Sequence, residues 1–202
     1  MNSIYICQED FNLKAEYPMF DSGSDLAKLY VSPVNDEYYD VETQEILTHF
    51  LIAQNRFPIH LTIELFSGVF DELKTSFQKQ GINHSITNEQ KGRKNTIVFR
   101  AILENPAALS FAIAKTFWIA CANQFYAISY PDILSYATVQ STGWFGRKKQ
   151  LLRPHVNIQS PSSLIVIWHD GQGFNLYTDE EKYSTPRNLA DHFPSDTPIE
   201  FG

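Results

Sequence analysis

The sequence predicts an α+β protein organised around an antiparallel sheet. Three observations carry that expectation. The run FPIHLTIEL, residues 57–65, alternates apolar and non-apolar positions without a break, the period of a strand with one buried face. Strand-like and helix-like runs then follow one another to residue 130 in the order βαββαβ. The composition, 43% hydrophobic and 14% aromatic with 15 Phe and 10 Tyr, supplies a core and excludes a disordered chain.

Each element has a local reason. Pro58 suits only the start of a strand or an edge. SGVFDELKTSFQKQGI, residues 67–82, reads as a helix. Ser67 is its expected N-cap, Asp71 and Glu72 lie in its first turns, Phe70, Leu73 and Phe77 form its apolar stripe, and Gly81 stops it. INHSITN (82–88) is a weaker strand, a turn is expected around Gly92, and TIVFRAIL (96–103) is a strong strand. A second helix starts at Asn105-Pro106 and runs to about Asn123, and FYAISY (125–130) closes the series. This order is the split βαβ, or ferredoxin-like, arrangement: a sheet with two helices on one face and the first and third strands at its centre. Such a core hosts many functions and names none.

The second helix, PAALSFAIAKTFWIACAN, is apolar nearly all round, with Lys115 and Thr116 its only strongly polar interior positions. A membrane span needs roughly 20 apolar residues, and Lys115 would sit mid-span, so no membrane association is expected. A helix of this kind should be covered on its far side. The carboxy-terminal region is the expected cover, and a partner interface is the alternative.

The flanking segments complete a single domain over 1–202, with an amino-terminal extension (1–56), the core (57–130) and a hairpin-containing segment (131–202). The extension opens with a strand candidate, NSIYIC, crosses acidic turn-rich stretches and ends in a helix, VETQEILTHFLIAQN, with Val41, Ile46, Leu47, Phe50 and Leu51 facing inward. Near the other end, LIVIWHDGQGFNLYTD (164–179) resembles a catalytic or phosphate-binding loop at first sight. A phosphate cradle should lead into a helix, however, and NLYTDEE follows instead. His169 to Gly173 therefore reads as the turn of a hairpin between two strands, and that hairpin is the expected cover for the apolar helix.

Charge is segregated within the net −7. Residues 1–50 carry ten acids and two bases, 51–169 six acids and twelve bases, and 170–202 seven acids and two bases. Either acidic ends lie against a basic middle, or an acidic face meets a basic partner. With a pI near 5.3, the basic clusters KGRK (91–94) and GRKK (146–149) do not make a polyanion-binding protein, and no nucleic acid partner is expected. With odd-numbered residues of 57–65 under the helices, the opposite sheet face shows His60, Thr62 and Glu64 beside Thr96, Val98 and Arg100. It offers no aromatic platform for bases.

Enzyme signatures are sparse. GxSxG, Walker-type and HExxH patterns are absent, and Cys7 and Cys121 have no partner at metal-ligand spacing, so no metal, cofactor or disulfide framework is predicted. His60, Glu64 and Arg100 are the weak catalytic candidates: a histidine oriented by a carboxylate can act as a base, and arginine can hold an anion. The ordinary alternative is a cross-strand ion pair. Trp144, Phe145, Arg147 and Lys148, an aromatic pair followed by cations, form the candidate partner-binding loop. The first residues lack the basic start and long apolar stretch of a signal peptide, and the two cysteines fit a reducing compartment, so a cytoplasmic location is expected. The sequence therefore favours a small non-enzymatic protein-binding module, of inhibitor, immunity or adaptor type, with homo-oligomerisation open. The alternative is an enzyme or small-molecule binder with a pocket near His60, Glu64 and Arg100.

Overall fold

The structure is a computed structural model that describes residues 3–202 except 14, 22–25, 36, 92–93 and 143–147; for 89–91, 94–95, 141–142 and 148–149 it describes the backbone alone. It is mixed α+β. A large, mostly antiparallel sheet is formed by β1 (Ile4–Glu9), β3 (Ala27–Pro33), β4 (Ile59–Leu65), β5 (Asn83–Lys91), β6 (Lys94–Leu103), β7 (Tyr126–Tyr130), β10 (Ser163–Ile167), β11 (Phe174–Thr178) and β12 (Ile199–Phe201). Their spatial order is β12-β1-β3-β11-β10-β7-β4-β6-β5. Within this sheet, among the described residues, only β12 pairs in parallel, with β1. A second sheet, β2-β9-β8, comprises β2 (Met19–Phe20), β9 (Lys148–Val156) and β8 (Leu134–Thr142).

The helices are α1 (Tyr39–Gln54), α2 (Phe70–Lys79), α3 (Pro106–Cys121) and the short α4 (Pro186–Ala190). They bury the odd-numbered face of β4: Ile59, Leu61 and Ile63 are fully inaccessible and share one core with Leu47 and Phe50 of α1, Phe77 of α2 and Ile113 and Phe117 of α3. On the other face, Ala127, Leu164, Val166 and Tyr177 pack with Phe20 of β2, Leu134 of β8 and Val156 of β9 in a separate, smaller core. The molecule is thus layered as helices, large sheet, small sheet. Leu164 to Ile167, an uninterrupted apolar run, is buried on both faces because its strand lies mid-sheet between those two cores.

Local chemistry explains the helix ends. Asn105 caps α3, its side chain accepting from the Ala108 amide at 3.0 Å, with Pro106 at the first helical position. Asn55 ends α1 in the left-handed region, φ 45°. Ser67 does not cap α2: the helix begins two residues after Gly68, at Phe70, and Val69 at its N-cap makes no side-chain bond. Val41 is 53% exposed rather than inward, because the turn it occupies faces out at the helix start while Glu42 and Thr43 point in.

The hairpin at residues 163–178 forms as expected, with its turn at His169–Gly171. Its strands do not cover α3, however. They extend the sheet beside β7, and the sides of α3 are flanked instead by α1, by the 169–171 turn, and by α2 through Phe77 against Phe111 and Glu72 against Lys115. Gly171 marks the closeness of that turn: with φ +77°, a Cβ there would stand 2.8 Å from Cys121 Sγ. The outward stripe of α3, Ala107, Ser110, Ala114 and Trp118, stays exposed. The amino-terminal segment is also more regular than expected, since β1 and β3 complete the sheet between β12 and β11. Leu134–Thr142 and Lys148–Val156 also pair, as β8 and β9.

Candidate functional site

Strand pairing fixes the face that carries the first candidates. His60 stands opposite Ile102, Thr62 opposite Arg100 and Glu64 opposite Val98, so Arg100 lies diagonally between His60 and Glu64. All three project from the face that the small sheet partly covers. That cover divides them. His60 and Arg100 line a cavity of about 180 Å³ with Thr62, Asn83, Ser85 and Asp132. Glu64 lies outside it, beneath β8, where the Tyr136 hydroxyl donates to Oε1 at 3.1 Å.

Electrostatics follows from the cover. Burial raises the Glu64 pKa, and the hydrogen bond from Tyr136 only partly offsets it. The Tyr136 hydroxyl is pushed up by burial and by the neighbouring carboxylate. Arg100 makes no ion pair among the described residues, and its Nε is buried without a protein hydrogen-bond partner. A guanidinium in that position can hold an anion in the cavity, with His60 and the Ser85 and Asn83 side chains within the same lining. The group contains no nucleophile paired with a base, and Glu64 orients Tyr136 rather than His60.

Of the aromatic–cationic loop, Trp144, Phe145 and Arg147 lie outside the described residues. The backbone of Lys148 opens β9, paired with Thr142. The turn expected around Gly92 also falls outside them. His169 and Asp170 do meet: Nδ1 and Oδ2 are 3.0 Å apart, and Asp170 is clamped by Asn123, whose amide donates to its carboxylate and accepts from its backbone N–H at 3.0 Å. These contacts lower the Asp170 pKa, the bond from Asn123 most. Among the described residues no group of three or more His, Cys, Asp or Glu side chains is placed to hold a metal ion. No helix among them is long and apolar enough to cross a membrane.

Charge segregation is met partly within the fold. Glu180 bonds Arg56, whose guanidinium also sits over the Tyr130 ring at 4.9 Å, and Asp21 contacts His155 Nε2 at 3.0 Å. Both join an acidic end to the basic middle. Lys28, by contrast, is held between Glu9 and Glu16 of its own segment, at 3.0 and 3.1 Å.

Two surfaces lie outside the candidate residues named from the sequence, although the far side of α3 was expected to need a cover. One is the exposed stripe of α3, where the Phe66 ring stacks on Trp118 with centroids 6.4 Å apart. The other is a cleft of about 310 Å³ at the end of the sheet, lined by Tyr17, Phe125, Trp168 and Asn175. Its available signal was Asn175, a lone amide in the wholly buried run FNLYT. Compared with known proteins, the chain matches no family model, and no curated protein and no solved structure matches it.

Proposed function

We propose that this chain is a cytoplasmic, non-enzymatic protein-binding module, of inhibitor, immunity or adaptor type, with a ferredoxin-like core over residues 57–130. The neighbour order β7-β4-β6-β5, with α2 following β4 and α3 following β6, supports that core. The observation that carries the function is the outer face of α3. A surface helix ordinarily turns charged residues to water. This one turns Ala107, Ser110, Ala114 and Trp118, and the adjacent Phe66 extends the patch; Trp118 is 48% exposed and Phe66 37%. Lys115, at its margin, is tied to Glu72 at 2.6 Å. A half-exposed tryptophan braced by a second aromatic ring matches the anchor of a binding hot spot.

The test is recovery of a stoichiometric protein partner with the tagged chain from its native host at low salt, its binding weakening as salt rises because the segregated charges steer association. Loss of Trp118 should cost about 2 kcal/mol or more, roughly a thirtyfold weakening. Background recovery alone under gentle conditions contradicts the reading.

A second reading rests on the buried, unpartnered Nε of Arg100: a small-anion or substrate site in the His60–Arg100 cavity, next to Glu64. It predicts that phosphate or a small carboxylate raises the melting temperature of the native protein and not of Arg100→Ala. Equal shifts in both proteins remove it.

A further inference from the structure

The cleft at the end of the large sheet is lined by strand residues and by Ala120, Asn123 and Gln124 at and just after the end of α3, and it shares no lining residue with the His60–Arg100 cavity. Its floor comes from two adjacent strands: Val166 of β10 and Asn175 of β11 stand directly opposite each other in the ladder. Aromatic rings from separate segments form its sides. Tyr17 is 46% exposed and meets Phe125 edge-on at 5.7 Å; Trp168 is 48% exposed and meets Tyr30 edge-on at 6.4 Å. Each ring is fixed by its neighbour and still offers surface to the cleft.

Asn175 makes this more than an apolar dent. It is 3% exposed, and its Oδ1 has no hydrogen-bond partner in the protein. Buried polar atoms are ordinarily paired, and an unpaired one costs stability, so an unpaired acceptor on a residue that lines a cleft has the character of a binding determinant. Beside it, His169 has Nδ1 engaged by Asp170, which leaves Nε2 as the ring nitrogen for a ligand. Among the described residues, the lining holds no lysine, arginine or carboxylate. The volume, about 310 Å³, reaches the lower end of small-ligand sites.

From these observations we infer that the cleft binds a small neutral ring compound that stacks or lies against Trp168 and Tyr17 and donates an N–H or O–H hydrogen bond to Asn175 Oδ1. The donor is required because Oδ1 can only accept; the ring is required because two half-exposed aromatic side chains face the space; neutrality follows from the lining. A planar nitrogen heterocycle and a pyranose sugar both satisfy this chemistry, and they are separated by test.

The experiment is ligand-observed saturation-transfer NMR on the full chain with two probe sets, adenine, thymine and nicotinamide in one, glucose, galactose and N-acetylglucosamine in the other. At least one probe should bind with Kd of about 1 mM or tighter, as a fragment of this size allows. Which set responds tells the heterocycle from the sugar. Asn175→Leu should weaken that binding at least tenfold while leaving the melting temperature unchanged or higher, because it removes the orphan acceptor. Trp168→Ala, on the half-exposed rim, should weaken it comparably without unfolding the chain, so the result does not depend on the buried substitution alone. Absence of binding to every probe at 10-fold higher concentration, or binding that both variants leave intact, overturns the assignment.

Discussion

Replacing Glu180 tests how the molecule reconciles its acidic end with its basic middle. The carboxylate is 9% exposed and serves three groups: Arg56 Nη1, the Ser163 hydroxyl at 2.7 Å and Lys182 at 3.5 Å. Burial opposes its charge, but the bonds from Ser163 and Arg56 outweigh burial and hold its pKa below the ordinary glutamate value of 4.5. Removing one partner of a buried ion pair costs about 3–5 kcal/mol. Arg56 is 31% exposed, so water recovers part of its solvation, and Glu180→Ala should cost about 2–3 kcal/mol. For a chain of this length that lowers Tm by roughly 5–10 °C. Urea unfolding of Arg56→Met, Glu180→Gln and the double variant closes a mutant cycle, with an expected coupling of about 1–2 kcal/mol. Because the folded-state pKa is depressed, the contribution is fully present above pH 4.5 and fades as pH falls through the folded value. A coupling below about 0.3 kcal/mol, or one that persists unchanged well below that pH, refutes the reasoning.

Further outcomes follow from other contacts. Glu64 has a raised pKa, so its folded-state ionisation opposes stability. Stability should be greater below pH 4.5 and decline as pH rises through the folded value; Glu64→Gln should flatten that slope in denaturant titrations across pH while stabilising the protein at pH 8. Gly171→Ala combines a left-handed φ with a contact on Cys121 Sγ, and should destabilise by about 2–4 kcal/mol in urea unfolding. Phe77→Ala removes a fully buried ring that touches Phe99 and Phe111, at a cost of about 3–5 kcal/mol; a loss under 1 kcal/mol by calorimetry contradicts its place in the core.

The core elements were legible where one period dominates. The alternation of 57–65, the strong strand at 96–103 and the Asn-Pro start of α3 each rest on neighbours within one element. The 163–178 hairpin was legible because two strand runs flank a glycine-bearing turn. The small sheet was not. KKQLLRPHV carries three cations, a glutamine and a proline, since one side of β9 faces away from the core, and its pairing with β2 joins Met19 to His155 across most of the chain. β3 was hidden because AKLYVSP is short and bordered by turn-rich sequence; its place in the sheet is secured by β1 and β11. The candidate cluster divided for a related reason. Pairing puts His60, Glu64 and Arg100 on one face, but only tertiary structure reveals that Tyr136, from β8, covers Glu64 and leaves the other two at a cavity. The all-apolar character of α3 was visible, whereas the part left uncovered depends on α1 and α2 flanking it.

The outer face of α3 is the surface proposed to meet a protein. The most direct measurement is site-specific photocrosslinking in the native host, with a benzophenone side chain at Ala114 and, as control, at Glu104, an exposed position beyond the helix start. A single discrete adduct from Ala114, suppressed by Trp118→Ala and absent from Glu104, is the predicted result. No adduct from Ala114 above the Glu104 control contradicts the claim.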